Sequence, residues 1–405
     1  MRYQTRQVLV KGLILAHDSN MKMHYFDWAA TAPISKKALD TYNQITLEYY
    51  GNPSSLHQEG QKAAKRLAQE REKTAALLQV SPSQIYYTAG ATESNSIVLN
   101  SLLWKRKPGR IIVSTLEHSS ILQYRHFLET KGFEVVSIKA PGGFVDLQAL
   151  EAALTDNTQM VSIMLVSNLL GTVQDISAIA QLLRQQPHRI HFHCDAVQAI
   201  GKIPFNLDRL DVDSASFSAH KFQGPRGTGL LYQRGNTIQP LSRGGGQEQG
   251  LRGGTEHLAA IAAMNQALEE TLFDMEHKMV QGNHLRTILE QELRAYPFVT
   301  LLSPPIDSGL SATPFIVTIA VEHFPSEVFT RILFDKGFCV SSGSACANNS
   351  PHKNEGPLQN AGFSSTLGSS AIRISFSNHT TAEEIKKLAQ TIGEESKTLG
   401  LHKRK

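Results

Sequence analysis

Five short apolar runs, at 110–114, 135–138, 160–166, 191–194 and 214–217, each break off into polar or glycine-containing sequence. Among them the apolar spacing switches from a period of two to one near 3.6. The clearest helical stretch is 59–78, where Ala, Leu and charged residues recur at helical intervals and Pro82 follows. A chain that alternates these two periods folds as α/β, with its strands gathered in a large, mostly parallel sheet. Ligands of such sheets bind beyond the carboxyl ends of the strands, so chemistry is expected in the residues after each run.

The pattern changes toward the C-terminus. A helical stretch over 258–296, with an expected break at Gly282-Asn283, is ended by Pro297 and Pro304-Pro305. From Pro314 the order is β-α-β, with strands at 315–321 and 338–341 and a helix near 326–336. This divides the chain into a large domain over 35–279 and a smaller α+β domain over 24–34 plus 280–405; residues 1–23 read as a leader, or as a start site placed too far upstream of Met21 and Met23. The chain has 405 residues, 41% of them hydrophobic, enough for two cores. No apolar run approaches the roughly 20 residues of a membrane-spanning helix. The net charge of +4 is dispersed apart from the tail His402-Lys403-Arg404-Lys405, which suits an anionic cofactor or substrate and gives no reason to expect direct nucleic-acid binding. Three cysteines, Cys194, Cys339 and Cys346, make no disulfide framework and fit a reducing, cytoplasmic compartment.

Lys221 is the chemical centre of the sequence. It stands in Ser218-Ala219-His220-Lys221, past the run at 214–217, and Gly224-Pro225 with Gly227 and Gly229 forms a tight turn behind it. A lysine so placed can hold a carbonyl cofactor as a Schiff base, and pyridoxal phosphate is the usual one. Its companions lie after other runs. Gly90-Ala91-Thr92 opens a helix whose free N–H groups suit a phosphate. His118 could stack on a flat ring and move protons. Asp195 could pair with a protonated pyridine nitrogen, and Gln198, one helical turn on, could reach the ring hydroxyl. His191 and His193 lack metal-ligand spacing and read as structural. The glycine-rich loop 244–256, containing Thr255, could cradle a phosphate, including that of a neighbouring subunit. Cys346 ends Ser341-Ser342-Gly343-Ser344-Ala345-Cys346 in small, polar surroundings, whereas Cys194 and Cys339 read as packed strand residues. Arg373 begins a late strand, and its planar fork suits a substrate carboxylate.

Assembled, these stretches, with Tyr25-Phe26-Asp27 and Gly51-Asn52-Pro53-Ser54-Ser55, resemble the cysteine desulfurases of the class V aminotransferase group. The resemblance covers the chain from about His24 to near its end. It implies the pyridoxal-phosphate transferase fold type I and conversion of L-cysteine to L-alanine by a homodimer. Lys221 would hold the cofactor, Asp195 and Gln198 would contact its ring, and His118 would stack on it and shuttle protons. Ala91, Thr92, Ser218, His220 and the partner's Thr255 would hold the phosphate, while Asn168 and Arg373 would grip the substrate. Cys346 would carry the sulfur as a persulfide to an acceptor protein, such as an iron–sulfur scaffold or a sulfur carrier. Departures fall at Trp28, Ala32, Leu169 (where an acidic residue is usual, so that the site's edge is expected to lose a charge) and the polar, proline-broken segment 348–357. The alternatives are a selenocysteine lyase, another class V activity, or a weakly active scaffold that binds the cofactor.

Overall fold

The computed structural model describes residues 22–343 and 356–402. Cys346, most of the polar segment after it, residues 1–21 of the leader and residues 403–405 of the tail lie outside them. The described chain contains strands β1 (His24–Tyr25), β2 (Ile85–Thr88), β3 (Arg110–Ser114), β4 (Glu134–Ile138), β5 (Thr158–Ser162), β6 (His191–Asp195), β7 (Ser214–Ser218) and β8 (Gly229–Gln233). The C-terminal part adds β9 (Val299–Leu301), β10 (Ile316–Val321), β11 (Phe338–Cys339), β12 (Ser341–Ser342) and β13 (Ala371–Ser375).

The large sheet has the order β2-β8-β7-β6-β5-β3-β4. Only β8 runs against its neighbours, so β2 points the same way as β5, β6 and β7. The carboxyl ends of β2, β6 and β7 therefore open on one edge, and the expected parallel α/β layout holds. The run at 160–166 is less regular than its composition implies. β5 closes at Ser162, although Ile163 and Leu165 still donate to the carbonyls of His193 and Asp195.

The second sheet, β12-β13-β10-β9, is antiparallel throughout and covers a separate apolar cluster built on Phe315, Ile319, Phe329 and Ile374. The expected strand at 338–341 is split. β11 pairs in parallel with β1 near the N-terminus, and β12 pairs with β13. Cys339, on β11, is half-buried rather than packed, whereas Cys194 is fully buried.

The helical stretch after Thr255 breaks elsewhere than expected. Helices Leu258–Leu272 and Met275–Leu293 meet at Phe273-Asp274, where Asp274 takes φ 53°. Gly282 lies inside the second helix because a Cβ there would stand 2.6 Å from the Phe315 ring. Its role is close packing, not a helix stop.

Candidate active site

A cavity of about 800 Å³ opens at the carboxyl ends of β6 and β7. Its wall includes Ala91, Thr92, His118, Asn168, Asp195, Gln198, Ser218, His220, Lys221 and Arg373. Among the described residues expected at the site, only Thr255 is elsewhere, exposed in the glycine-rich loop of its own chain.

One end of the cavity is built for an anion. Gly90 caps the helix Ala91–Ser101 with φ 149° and no side-chain hydrogen bond, so the first-turn N–H groups stay available. Gly229 must also be glycine, because a Cβ there would stand 2.7 Å from Gly90 Cα. Thr92, Ser218 and His220 surround this end. Burial, then the charges of Lys221, Arg226 and Lys202, push His220 down to about 4, so its ring is neutral, with Nδ1 3.1 Å from Thr31 Oγ1.

The middle of the cavity holds three groups with different ionic characters. Lys221 Nζ donates to the carbonyls of Ala29 (2.8 Å) and Ala30 (2.7 Å). Asp195 accepts from Asn95 Nδ2 at 3.0 Å and from the N–H of Val197 at 3.1 Å. His118 caps a short helix through Nδ1, which accepts the Ser120 N–H. Burial lowers its pKa and outweighs the attraction of Asp195, while Lys221 adds to the lowering. Glu117 is buried, and burial and then Asp195 push it well above the ordinary carboxyl range. Beneath Lys221 lies Lys202, also buried, which donates to the Lys221 carbonyl at 3.3 Å. Burial, Lys221 and Arg373 depress Lys202 to about 7.

At the other end Arg373 joins three elements. Nη1 donates to the Asn168 carbonyl at 3.0 Å, and Nη2 donates to Asp27 Oδ1 at 2.9 Å and Ser341 Oγ at 3.1 Å. Leu169, the uncharged residue at this edge, is buried in an apolar cluster with Leu116, Met164, Ala320 and Leu358. The roles of Asn95, Lys202, Asp27 and the carbonyls of Ala29 and Ala30 were missed by sequence reasoning. Asp27, in Tyr25-Phe26-Asp27, and Asn95, in the stretch from Gly90 to Asn95, lay inside sequence that carries the resemblance, but neither was given a role.

A family model described as aminotransferase class-V matches residues 24–388. The chain belongs to this family. This class-V chain is 40% identical over 367 residues to the "NifS/IcsS protein homolog" of Lactobacillus delbrueckii subsp. bulgaricus, covering 89% of this chain and 94% of that one. It is 34% identical over 365 residues to "Cysteine desulfurase IscS" of Dictyoglomus turgidum, covering 89% and 91%. Among solved structures, a "NIFS-LIKE PROTEIN" superposes with a TM-score of 0.85 at 32% identity, over 92% of this chain and 98% of that one. The architecture is thus the pyridoxal-phosphate transferase fold type I expected from the sequence.

Proposed function

We propose that this chain is a pyridoxal-phosphate-dependent cysteine desulfurase that converts L-cysteine to L-alanine and keeps the sulfur as a persulfide on Cys346. The observation that carries this reading is the convergence of Lys221, Asp195, His118 and Arg373 on one cavity. Similarity to the curated cysteine desulfurases supports the choice of reaction. The wall fits the cofactor: Gln198 Oε1 and Arg373 Nε are buried without a hydrogen-bond partner among the described residues, and the helix start at Ala91, with no side-chain cap, suits an anion.

When bound, pyridoxal phosphate supplies an electron sink that acidifies the substrate Cα. Lys221 would anchor it covalently, Asp195 would pair with its pyridine nitrogen, and Gln198 would contact its ring oxygen. Thr92, Ser218, His220 and the helix start at Ala91 would hold its phosphate, with Thr255 completing the phosphate site of a second copy in a homodimer. Asn168 and Arg373 orient the substrate carboxylate. His118, with its pKa lowered and its Nδ1 occupied by Ser120, would stack on the ring and carry protons at Nε2. The Cys346 thiolate forms an S–S bond to the substrate sulfur as the C–S bond breaks. The persulfide stays on the protein, and the remaining carbon takes a proton to leave as alanine. An acceptor protein of the iron–sulfur scaffold or sulfur-carrier kind then takes the sulfur. We assign the cofactor to residues 35–279 and the cysteine segment to 24–34 plus 280–405. No described helix is long and apolar enough to cross a membrane, and a cytoplasmic location is part of the proposal.

Incubation with L-cysteine, mass spectrometry of the Cys346 peptide and quantitation of alanine test this reading. One added sulfur on Cys346, with alanine formed and both lost in Cys346→Ala, is the expected result. Alanine and sulfide release that persists in Cys346→Ala would count against it.

A further inference from the structure

Behind Asp195 a line of polar groups, buried except for the half-buried His191 at its far end, crosses the large sheet, and no step described so far uses it. His191 Nε2 lies 2.8 Å from Ser214 Oγ, and Ser214 Oγ lies 2.8 Å from His193 Nδ1. His193 Nε2 lies 2.9 Å from Asn95 Oδ1, with Ser216 Oγ at 3.5 Å from the same nitrogen. Asn95 Nδ2 then donates to Asp195 Oδ2 at 3.0 Å and to Ser120 Oγ at 2.8 Å, and Ser120 Oγ is 2.9 Å from His118 Nδ1.

The direction of every bond is fixed from the Asp195 end. A carboxylate only accepts, so the Asn95 amide must turn its N–H groups toward Asp195 and its oxygen toward His193. His193 must then carry its proton on Nε2 and accept at Nδ1, which makes Ser214 the donor to it. Ser214 in turn accepts from Nε2 of His191. All four links donate toward Asp195, and hydrogen bonds aligned in one direction polarise one another. The direction requires the His193 ring to be neutral, since Nδ1 must accept, and burial does push His193 down to about 3; His191, which donates from Nε2, is pushed down to about 4. Titratable groups stand at both ends: Glu117, Cys194 and His118 face Asp195, while Asp213, Lys105, Arg189 and Arg184 face His191. His191 forms part of the wall of a second cavity, about 330 Å³, between the sheet and Lys105.

We propose that His193 and Ser214 are positioning residues for the reaction. Acting through Asn95, they hold Asp195 as an oriented carboxylate and hold His118 in its Nε2-protonated form. This rests on the reading that Asp195 faces the pyridine nitrogen of pyridoxal phosphate. With the line cut at His193 or Ser214, the Asn95 amide is no longer held in orientation and its hydrogen bond to Asp195 weakens, so Asp195 would draw more strongly on a proton at the ring nitrogen. The ring would then withdraw less from the Lys221 nitrogen, whose proton affinity would rise.

The test is a pH titration of the bound cofactor's visible absorbance in the full-length holoenzyme, with thermal stability and cofactor occupancy measured alongside. His193→Phe should raise the titration midpoint by about half a pH unit or more. It should also lower kcat by about threefold, the rate equivalent of that shift, with KM for cysteine unchanged. Ser214→Ala, which removes one oxygen, should move both in the same direction by less. His193→Gln keeps an N–H for Asn95 and an oxygen for Ser214, and should restore both. Unchanged midpoints in His193→Phe and Ser214→Ala overturn the proposal. So does a shift that His193→Gln fails to reverse, since that marks lost packing alone. A wild-type chain that shows no bound pyridoxal phosphate overturns the functional reading itself, a result separable from the other two.

Discussion

Lys202 is the residue whose surroundings are least like those of an ordinary lysine. It is buried, bonded to the Lys221 carbonyl and flanked by the charges of Lys221 and Arg373, and it is depressed from 10.5 to about 7. Between those two values an unfolded chain keeps the proton that the folded chain has released. Folding stability from this group therefore rises with pH across that window. Melting temperatures recorded from pH 7 upward should climb more steeply for the wild type than for Lys202→Met; parallel curves would refute the assignment. Nothing in the sequence singled out Lys202, because its significance comes from side chains far along the chain. Asn95 was likewise seen only as part of a helix start, since His193 and Asp195 lie about a hundred positions away. Lys221, Asp195 and Ser218 were legible for the opposite reason. They stand at or just past the ends of strands whose apolar runs are plain, and the fold gathers such ends on one edge.

At the scale of elements, Met275–Leu293 shows how a glycine misleads. Sequence reasoning took Gly282 as a stop, yet the helix passes through it and presses its backbone on Phe315 and Pro314. Alanine is the better helix former by roughly 1 kcal/mol, but here its Cβ would overlap a buried ring, and overpacking typically costs about 1–3 kcal/mol. Gly282→Ala should therefore destabilise the protein, read as a lower denaturant midpoint with an unchanged slope. The actual break at Asp274 depends on a left-handed backbone at a non-glycine residue, which leaves no mark in composition. The parallel strands were legible because burial on both faces makes them continuous apolar runs. The two-residue strands β11 and β12 were not separable, since what splits them is the choice of partner, β1 for one and β13 for the other.

For the whole molecule, the exposed Thr255 makes the assembly testable. If it completes a second copy's phosphate site, Thr255→Ala weakens cofactor binding in both sites of a homodimer. Mixed with a Lys221→Ala chain, the Thr255→Ala chain regains one intact site, formed by its own Lys221 and the partner's threonine. Cofactor titration of the mixture should recover tight binding in that site, and a mixture no better than its components would place Thr255 outside the function. The glycine-rich loop that carries Thr255 is anchored by Glu248, which accepts from Arg71 and from the N–H of Tyr87. That anchor gives the exposed residue a fixed base.

The fork of Arg373 already rests on Asp27 before any substrate arrives. Asp27 offsets part of the guanidinium charge, so if Arg373 orients the substrate carboxylate as proposed, chloride, acetate and other simple anions should hold there less firmly than beside a lone arginine. An amino acid brings its own balancing ammonium group, and zwitterions should then compete better than plain acids of the same size.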